Sequence, residues 1–218
     1  MMTPETVAVV GGGAVGLTAA AHLARRGVAV TLYERGDVAS ESTGRAAGIC
    51  YDAFADRRDA DIAADALARF RELAAETRLP VTDCPYVWLA REGDDACADA
   101  IREQVPQMRA NGRDVSLLAP RTLGERFPTL RTDDVAVAAV AENAVYTDPE
   151  TYAAVTAERA QAAGVEVLTD TPVTLADGPA VETPDGRADY DAVLVAAGAG
   201  TRPLLAGVDV QLPVEVYR

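Results

Sequence analysis

The stretch TVAVVGGGAVGLTAAAHLARRGVAVTLYE, residues 6–34, decides the fold. Val7, Ala8, Val9 and Val10 form an apolar run with the pattern of a strand buried on both faces. Gly11-x-Gly13-x-x-Gly16 follows, and small residues suited to a helix run from Ala14 to about Arg26. A second apolar strand is predicted over Val28–Tyr33, ending at Glu34, 18 residues past Gly16. A glycine triplet alone is a weak signal. With a strand before it, a helix after it and an acid at this distance, it marks a dinucleotide site.

Backbone geometry supplies the chemistry. Gly11 permits the sharp turn out of the strand, Gly13 has no Cβ to block a pyrophosphate, and Gly16 lets the helix pack closely on the sheet. The helix start at Ala14 and Val15 offers N–H groups and a partial positive charge to phosphate. Glu34 is placed to accept hydrogen bonds from two ribose hydroxyls, and its charge repels a 2′-phosphate. That argues against NADP and leaves FAD and NAD both open.

A chain of 218 residues can build one core, or one domain with a second unit inserted in it. The net charge is −14, from 34 acidic residues against 20 basic ones, and every basic residue is arginine. Such a surface repels nucleic acid and anionic membranes, so neither is expected as a partner. It fits a halophilic protein in a salt-rich cytoplasm; an acidic protein with arginine-biased codon usage is an equal reading. Cys50, Cys84 and Cys97 are isolated and His22 is the only histidine. No metal site, disulfide framework or histidine triad is expected from them. The N-terminus has no signal-peptide pattern and no apolar run reaches spanning length, which points to the cytoplasm.

Further along, helices are predicted over Asp61–Arg78, Asp94–Ala110, Pro120–Phe127 and Pro149–Ala163, with Pro106 expected to kink or divide the second. Strands are predicted over Tyr86–Ala90, Val115–Leu118, Val135–Ala141, Val165–Leu168 and Ala192–Ala196, with a hairpin region over Val173–Asp189. The expected fold is α/β: a parallel, Rossmann-like nucleotide sheet interrupted by an inserted unit near residues 80–143.

Four stretches carry a family resemblance: the opening glycine turn; Ser40-Glu-Ser42-Thr43-Gly-Arg45-Ala46-Ala47-Gly48; Tyr146-Thr-Asp-Pro149 with its helix and the strand bearing Val173; and Asp191-Ala-Val-Leu-Val-Ala-Ala197-Gly198-Ala-Gly-Thr-Arg-Pro-Leu204. Together they resemble the FAD-dependent oxidoreductases of the D-amino-acid oxidase class, which includes glycine and sarcosine oxidases and FAD-linked glycerol-3-phosphate dehydrogenase. The resemblance implies FAD as cofactor. It implies a discontinuous FAD-binding domain (residues 5–79 and 144–206) with an inserted, incomplete α+β substrate domain (80–143 and 207–218). It places the loop from Ser42 and Thr43 to Gly48 under the pyrophosphate and along the flavin, with Arg35 and Arg45 as cationic neighbours. Val173 is placed on the adenine through its backbone, and Ala197 and Gly198 in a second glycine turn beside the cofactor.

The implied chemistry is oxidation of a small amine or amino acid by hydride transfer to the flavin, which oxygen or an electron carrier then reoxidises. No side chain need act as an essential acid or base, so no catalytic residue is assigned. In the family more than a hundred residues follow the stretch at Leu212–Arg218. The expectation is therefore a truncated chain, or one completed by a second polypeptide. Trp88 and Tyr51 read as packed aromatics. The competing readings are an FAD-binding subunit without turnover of its own and, less favoured, an NAD-dependent dehydrogenase.

Overall fold

The computed structural model describes residues 4–214. The chain divides into two compact units, one built from residues up to Ala47 and from Pro149 onward, the other from Gly48–Asp148.

The first unit opens with β1 (Thr6–Val10), α1 (Ala14–Ala24) and β2 (Ala29–Tyr33). The second contains β3 (Ile49–Tyr51), α2 (Arg57–Glu76), β4 (Val81–Asp83), β5 (Tyr86–Arg91), α3 (Asp95–Ala110), β6 (Val115–Leu118), α4 (Pro120–Arg126), β7 (Val135–Ala141) and β8 (Ala144–Thr147). The chain then returns to the first unit with α5 (Pro149–Ala162), β9 (Glu166–Leu168), β10 (Thr174–Ala176), β11 (Ala180–Thr183), β12 (Gly186–Asp189) and β13 (Ala192–Val195). A 3₁₀ turn at Gly198–Gly200 leads into α6 (Thr201–Ala206).

In the first unit a parallel sheet runs in the order β13-β1-β2-β9. β1 lies between two strands and is covered on both faces, which is why Val7 to Val10 is apolar without alternation. Val7, Val9, Val30 and Leu32 pack under Leu17 and Ala20 of α1 and Ala153 and Ala160 of α5. On the other side Ala8, Val10 and Tyr33, with Val193 beside Ala8 in β13, pack against Val181 and Leu175 of the antiparallel β10-β11-β12 meander. The register sets Val10 beside both Tyr33 and Val195, and Tyr33 beside Leu168. All four strands therefore end level, and the loops after them leave from one edge.

The second unit has two antiparallel sheets, β3-β8-β4 and β5-β7-β6. Val137, Ala139 and Ala141 of β7 pack with Ile101, Val105 and Met108 of α3, while Ala138 and Val140 pack with Leu123 of α4. Cover on both faces explains the weak alternation of this strand. Tyr51 stacks on Phe54 and Tyr86 at centroid distances of 5.1 and 4.5 Å, and Trp88 meets Tyr51 edge-on at 5.4 Å, so both aromatics are packed. Asp52 is buried, where it accepts from Arg113 at 3.1 Å and from Asn143 at 2.6 Å.

Several boundaries differ from the sequence expectation. α2 starts at Arg57 because Asp56 caps it, its carboxylate accepting from Arg58 N–H at 2.8 Å and Asp59 N–H at 3.1 Å. Pro106 does not divide α3: it lies in the last turns, and buried Val105 and Met108 on either side hold the helix to the core. The units meet at residues 47/48 and 148/149 and not at 79/80 and 143/144, since β3 pairs with β8, β4 pairs with β8, and α2 packs on β3. Residues 207–214 group with the first unit, while 215–218 of the expected substrate-domain segment lie outside the described residues.

Asp191 ties the start of β13 to the start of β1. Its Oδ2 accepts from Glu5 N–H at 2.8 Å and Thr6 N–H at 2.9 Å, and its own N–H donates to Thr6 Oγ1 at 3.0 Å. These backbone donors, Thr6 first and then Glu5, hold the Asp191 carboxyl below its ordinary pKa. A depressed folded-state pKa stabilises above the unfolded value and is lost as pH falls through the folded one. Asp191→Asn should therefore lower Tm at pH 7. Its deficit against the wild type should shrink and vanish as pH drops below about 4, the ordinary aspartate range. Thermal melts across pH check this, and a deficit constant with pH would contradict it.

Candidate cofactor site

The level strand ends open onto a cavity of about 580 Å³ within the first unit, a volume ordinary for a small-molecule site. Four loops line it: the glycine turn after β1, Glu34 and Arg35 after β2 with the loop to Thr43, Thr171–Val173 after β9, and Ala196–Gly200 after β13.

The glycine turn is a backbone-on-backbone contact. Gly11 adopts φ +114°, and a Cβ there would overlap the carbonyl of Ala196, whose N–H donates to Val10 at 2.8 Å. A Cβ on Gly16 would overlap the carbonyl oxygen of Gly11. Gly13 caps α1 in extended backbone with no side-chain cap of its own, so the first-turn N–H groups beyond Ala14 have no acceptor within the helix. Thr43 Oγ1 accepts the N–H of Ala14 at 3.1 Å, which leaves its own hydroxyl hydrogen to donate outward. Val15 lies on the lining with its apolar side chain 70% exposed.

Glu34 closes the turn from the other side. Its Oε2 accepts Gly12 N–H at 2.7 Å and its Oε1 accepts Gly36 N–H at 3.0 Å. Each oxygen keeps a lone pair, so the carboxylate that braces the loop can still accept from a hydroxyl. The following loop is fixed to the turn: Ala39 N–H donates to Gly12 O at 3.1 Å and Gly44 N–H donates to Ala39 O at 2.9 Å. Ala39 has φ +61°, and a Cβ on Gly44 would overlap its carbonyl. At the second turn, Gly198 has φ +53° and begins the 3₁₀ turn.

Of the residues named from the sequence, Gly11, Gly13, Ala14, Val15, Glu34, Arg35, Ser42, Thr43, Val173, Ala197 and Gly198 line this cavity. Gly16 lies beneath it as a packing glycine. Arg45, Ala46 and Ala47 are off the lining: Arg45 is exposed and pairs with Glu41 at 3.5 Å. Gly48 falls in the second unit, where its carbonyl accepts the N–H of Thr147 at 2.8 Å. Sequence reasoning missed Glu41, Thr171, Pro172 and Leu204 on the lining. Counting three residues past Leu168, which is level with Tyr33, would have found Thr171.

The residues present fit the adenosine and pyrophosphate part of FAD. A Cβ-free approach at Gly13, first-turn N–H groups and the Thr43 hydroxyl suit the phosphates, and a carboxylate with free lone pairs suits a ribose. Among the described residues no group of three or more His, Cys, Asp or Glu is placed to hold a metal ion.

The model of the FAD dependent oxidoreductase family matches residues 6–218. No curated protein sequence matches significantly. L-proline dehydrogenase from P. horikoshii superposes with TM-score 0.87 at 22% identity, over 99% of this chain and 58% of that one. Glycine oxidase from Geobacillus kaustophilus gives 0.85 at 25%, over 96% and 59%. L-Amino acid deaminase from Proteus myxofaciens gives 0.81 at 24%, over 98% and 50%. The chain thus spans little more than half the length of the proteins it resembles in structure. With the glycine turn, the level loops and the family match together, the chain belongs to the FAD dependent oxidoreductase family.

Proposed function

We propose that this chain binds FAD in the first unit and belongs to an enzyme that oxidises a small amine or amino acid at its C–N bond. One observation carries the reading: both glycine turns, the Ser42–Thr43 loop and the Val173 segment line a single cavity. The structural neighbours named for proline, glycine and L-amino acids favour the amine substrate class. FAD bound here would accept a hydride from the carbon beside the amine, whose nitrogen gives up a proton as the imine forms. Reoxidation would fall to oxygen or an electron carrier.

The work of this chain's residues is to bind and orient. First-turn N–H groups and the hydroxyls of Ser42 and Thr43 hold the pyrophosphate, Glu34 takes the ribose hydroxyls, and the backbone at Val173 meets the adenine. Among the described residues no helix is long and apolar enough to cross a membrane. A second reading has specific support in the length comparison. A chain covering 58% of its structural neighbour can bind FAD and need a further segment or polypeptide for turnover.

Protein purified in high salt should show flavin absorbance near about 450 nm, either as isolated or after adding FAD. Bleaching by small secondary amines or amino acids without air would support turnover by the chain itself. A coloured protein that no such substrate bleaches would favour the binding-only reading, and a protein that stays colourless with FAD would refute both.

Two glycine variants separate packing from binding. Gly16→Ala should lower stability by about 1–3 kcal/mol in urea titrations, because the methyl meets fixed backbone. At Gly13 the added methyl would stand 3.0 Å from the Thr43 hydroxyl. Gly13→Ala should therefore unfold near the wild-type midpoint while binding FAD at least about tenfold more weakly, as expected for losing close phosphate approach. Equal FAD affinity in this variant would remove the pyrophosphate from the turn.

A further inference from the structure

Glu41 lines the cavity, yet the flavin reading gives it no task. It sits on the loop that Ala39, Thr43 and Gly44 fix to the glycine turn, so its backbone position is set by the fold. Its two carboxylate oxygens each face a guanidinium: Oε1 is 2.9 Å from Arg35 Nη2, and Oε2 is 3.5 Å from Arg45 Nη1. Among the described residues the cavity lining carries two carboxylates, Glu34 and Glu41, against one guanidinium, Arg35. For a site meant to take a dianionic pyrophosphate, this balance is unfavourable.

We propose that Glu41 limits the affinity of the cavity for a dinucleotide, by engaging Arg35, the lining guanidinium that a pyrophosphate would otherwise recruit. The proposal rests on the reading of this cavity as the FAD site. Stability does not explain the arrangement. The Arg35 and Glu41 side chains are 63% and 55% exposed and Arg45 is 73% exposed, and ion pairs so open to water contribute little to folding. A phosphate competing for Arg35 must displace a carboxylate already in place, which lowers the net gain of the new contact. Removing the Glu41 charge frees Arg35 and shifts the lining by one positive charge, at no cost to the hydrogen bonds that fix the loop.

The test is FAD titration into the flavin-free chain, followed by quenching of flavin fluorescence. Far-UV circular dichroism checks that each variant is folded at each salt concentration. Glu41→Gln should bind FAD about tenfold more tightly than the wild type in dilute KCl, the scale of one charge-assisted hydrogen bond. That advantage should fall below about threefold in about 1 M KCl, where charges are screened beyond about 3 Å. The double variant Arg35→Gln/Glu41→Gln should lose most of the gain. Equal or weaker binding by Glu41→Gln in dilute salt would overturn the proposal and leave the flavin site standing. So would a gain that salt does not reduce or that survives loss of Arg35. If wild type and variants alike fail to quench FAD at any salt, the flavin reading falls and this proposal with it.

Discussion

The first unit depends on one close approach of backbone to backbone. The carbonyl of Gly11 occupies the space a side chain on Gly16 would fill, and the carbonyl of Ala196 occupies the space a side chain on Gly11 would fill. β1, α1 and β13 therefore converge on a point where no methyl group is tolerated. The register of the sheet does the rest by ending β1, β2, β9 and β13 at one level. Loops of unrelated sequence are delivered to the same edge, at the carboxyl ends of parallel strands, where open α/β sheets bind ligands. The cavity is a consequence of how the strands are aligned more than of any single side chain.

Glu34 shows how structure and binding come to share an atom. A carboxylate at the end of β2 could serve a ribose alone, but here it also accepts N–H groups from Gly12 and Gly36 and so closes the turn. Thr43 is similar, accepting from Ala14 with one lone pair while its hydrogen remains available. Groups already locked by hydrogen bonds lose little freedom when a ligand arrives, and such preorganisation improves affinity by lowering its entropic cost. The same economy blurs mutational data, since on the proposed reading loss of Glu34 loosens the loop and removes a ligand contact together.

Much of this was legible in the sequence, for a physical reason. The glycine turn, β1, α1, β2, α3, α5 and β13 announce themselves through local patterns: apolar runs, helical spacing, a glycine triplet and an aspartate-proline pair. β3, β4 and β8 do not, because each has three or four residues and exists only through pairing with distant partners, such as Ile49 with Tyr146. Their pairing moves the unit boundary to Gly48, so a residue read as the end of the phosphate loop begins the other unit. Arg45 was misplaced for a related reason. Sequence adjacency to Ser42 and Thr43 put it at the cavity, whereas it is exposed, off the lining and paired with Glu41, four residues back. The i,i+4 spacing of Glu41 and Arg45 signals the pair, but not which way the loop turns it.

Charge holds this fold together less than its abundance suggests. The surface carries a net −14, and the Arg35–Glu41 and Arg121–Glu125 pairs are typical of its exposed ion pairs. Pairs so exposed are worth little. Arg113 with Asp52 is different, at 15% and 5% exposure and braced by Asn143, and there a lost partner would leave a charge stranded in the interior. An acidic protein that takes up an anionic cofactor cannot rely on its long-range field, which opposes the approach. It must rely on short-range donors that the field does not reach: N–H groups at a helix start, hydroxyls on a fixed loop, and a glycine that lets the phosphates come close. On the proposed reading the glycine turn supplies that short-range attraction, and the close backbone packing beneath it keeps those donors in place.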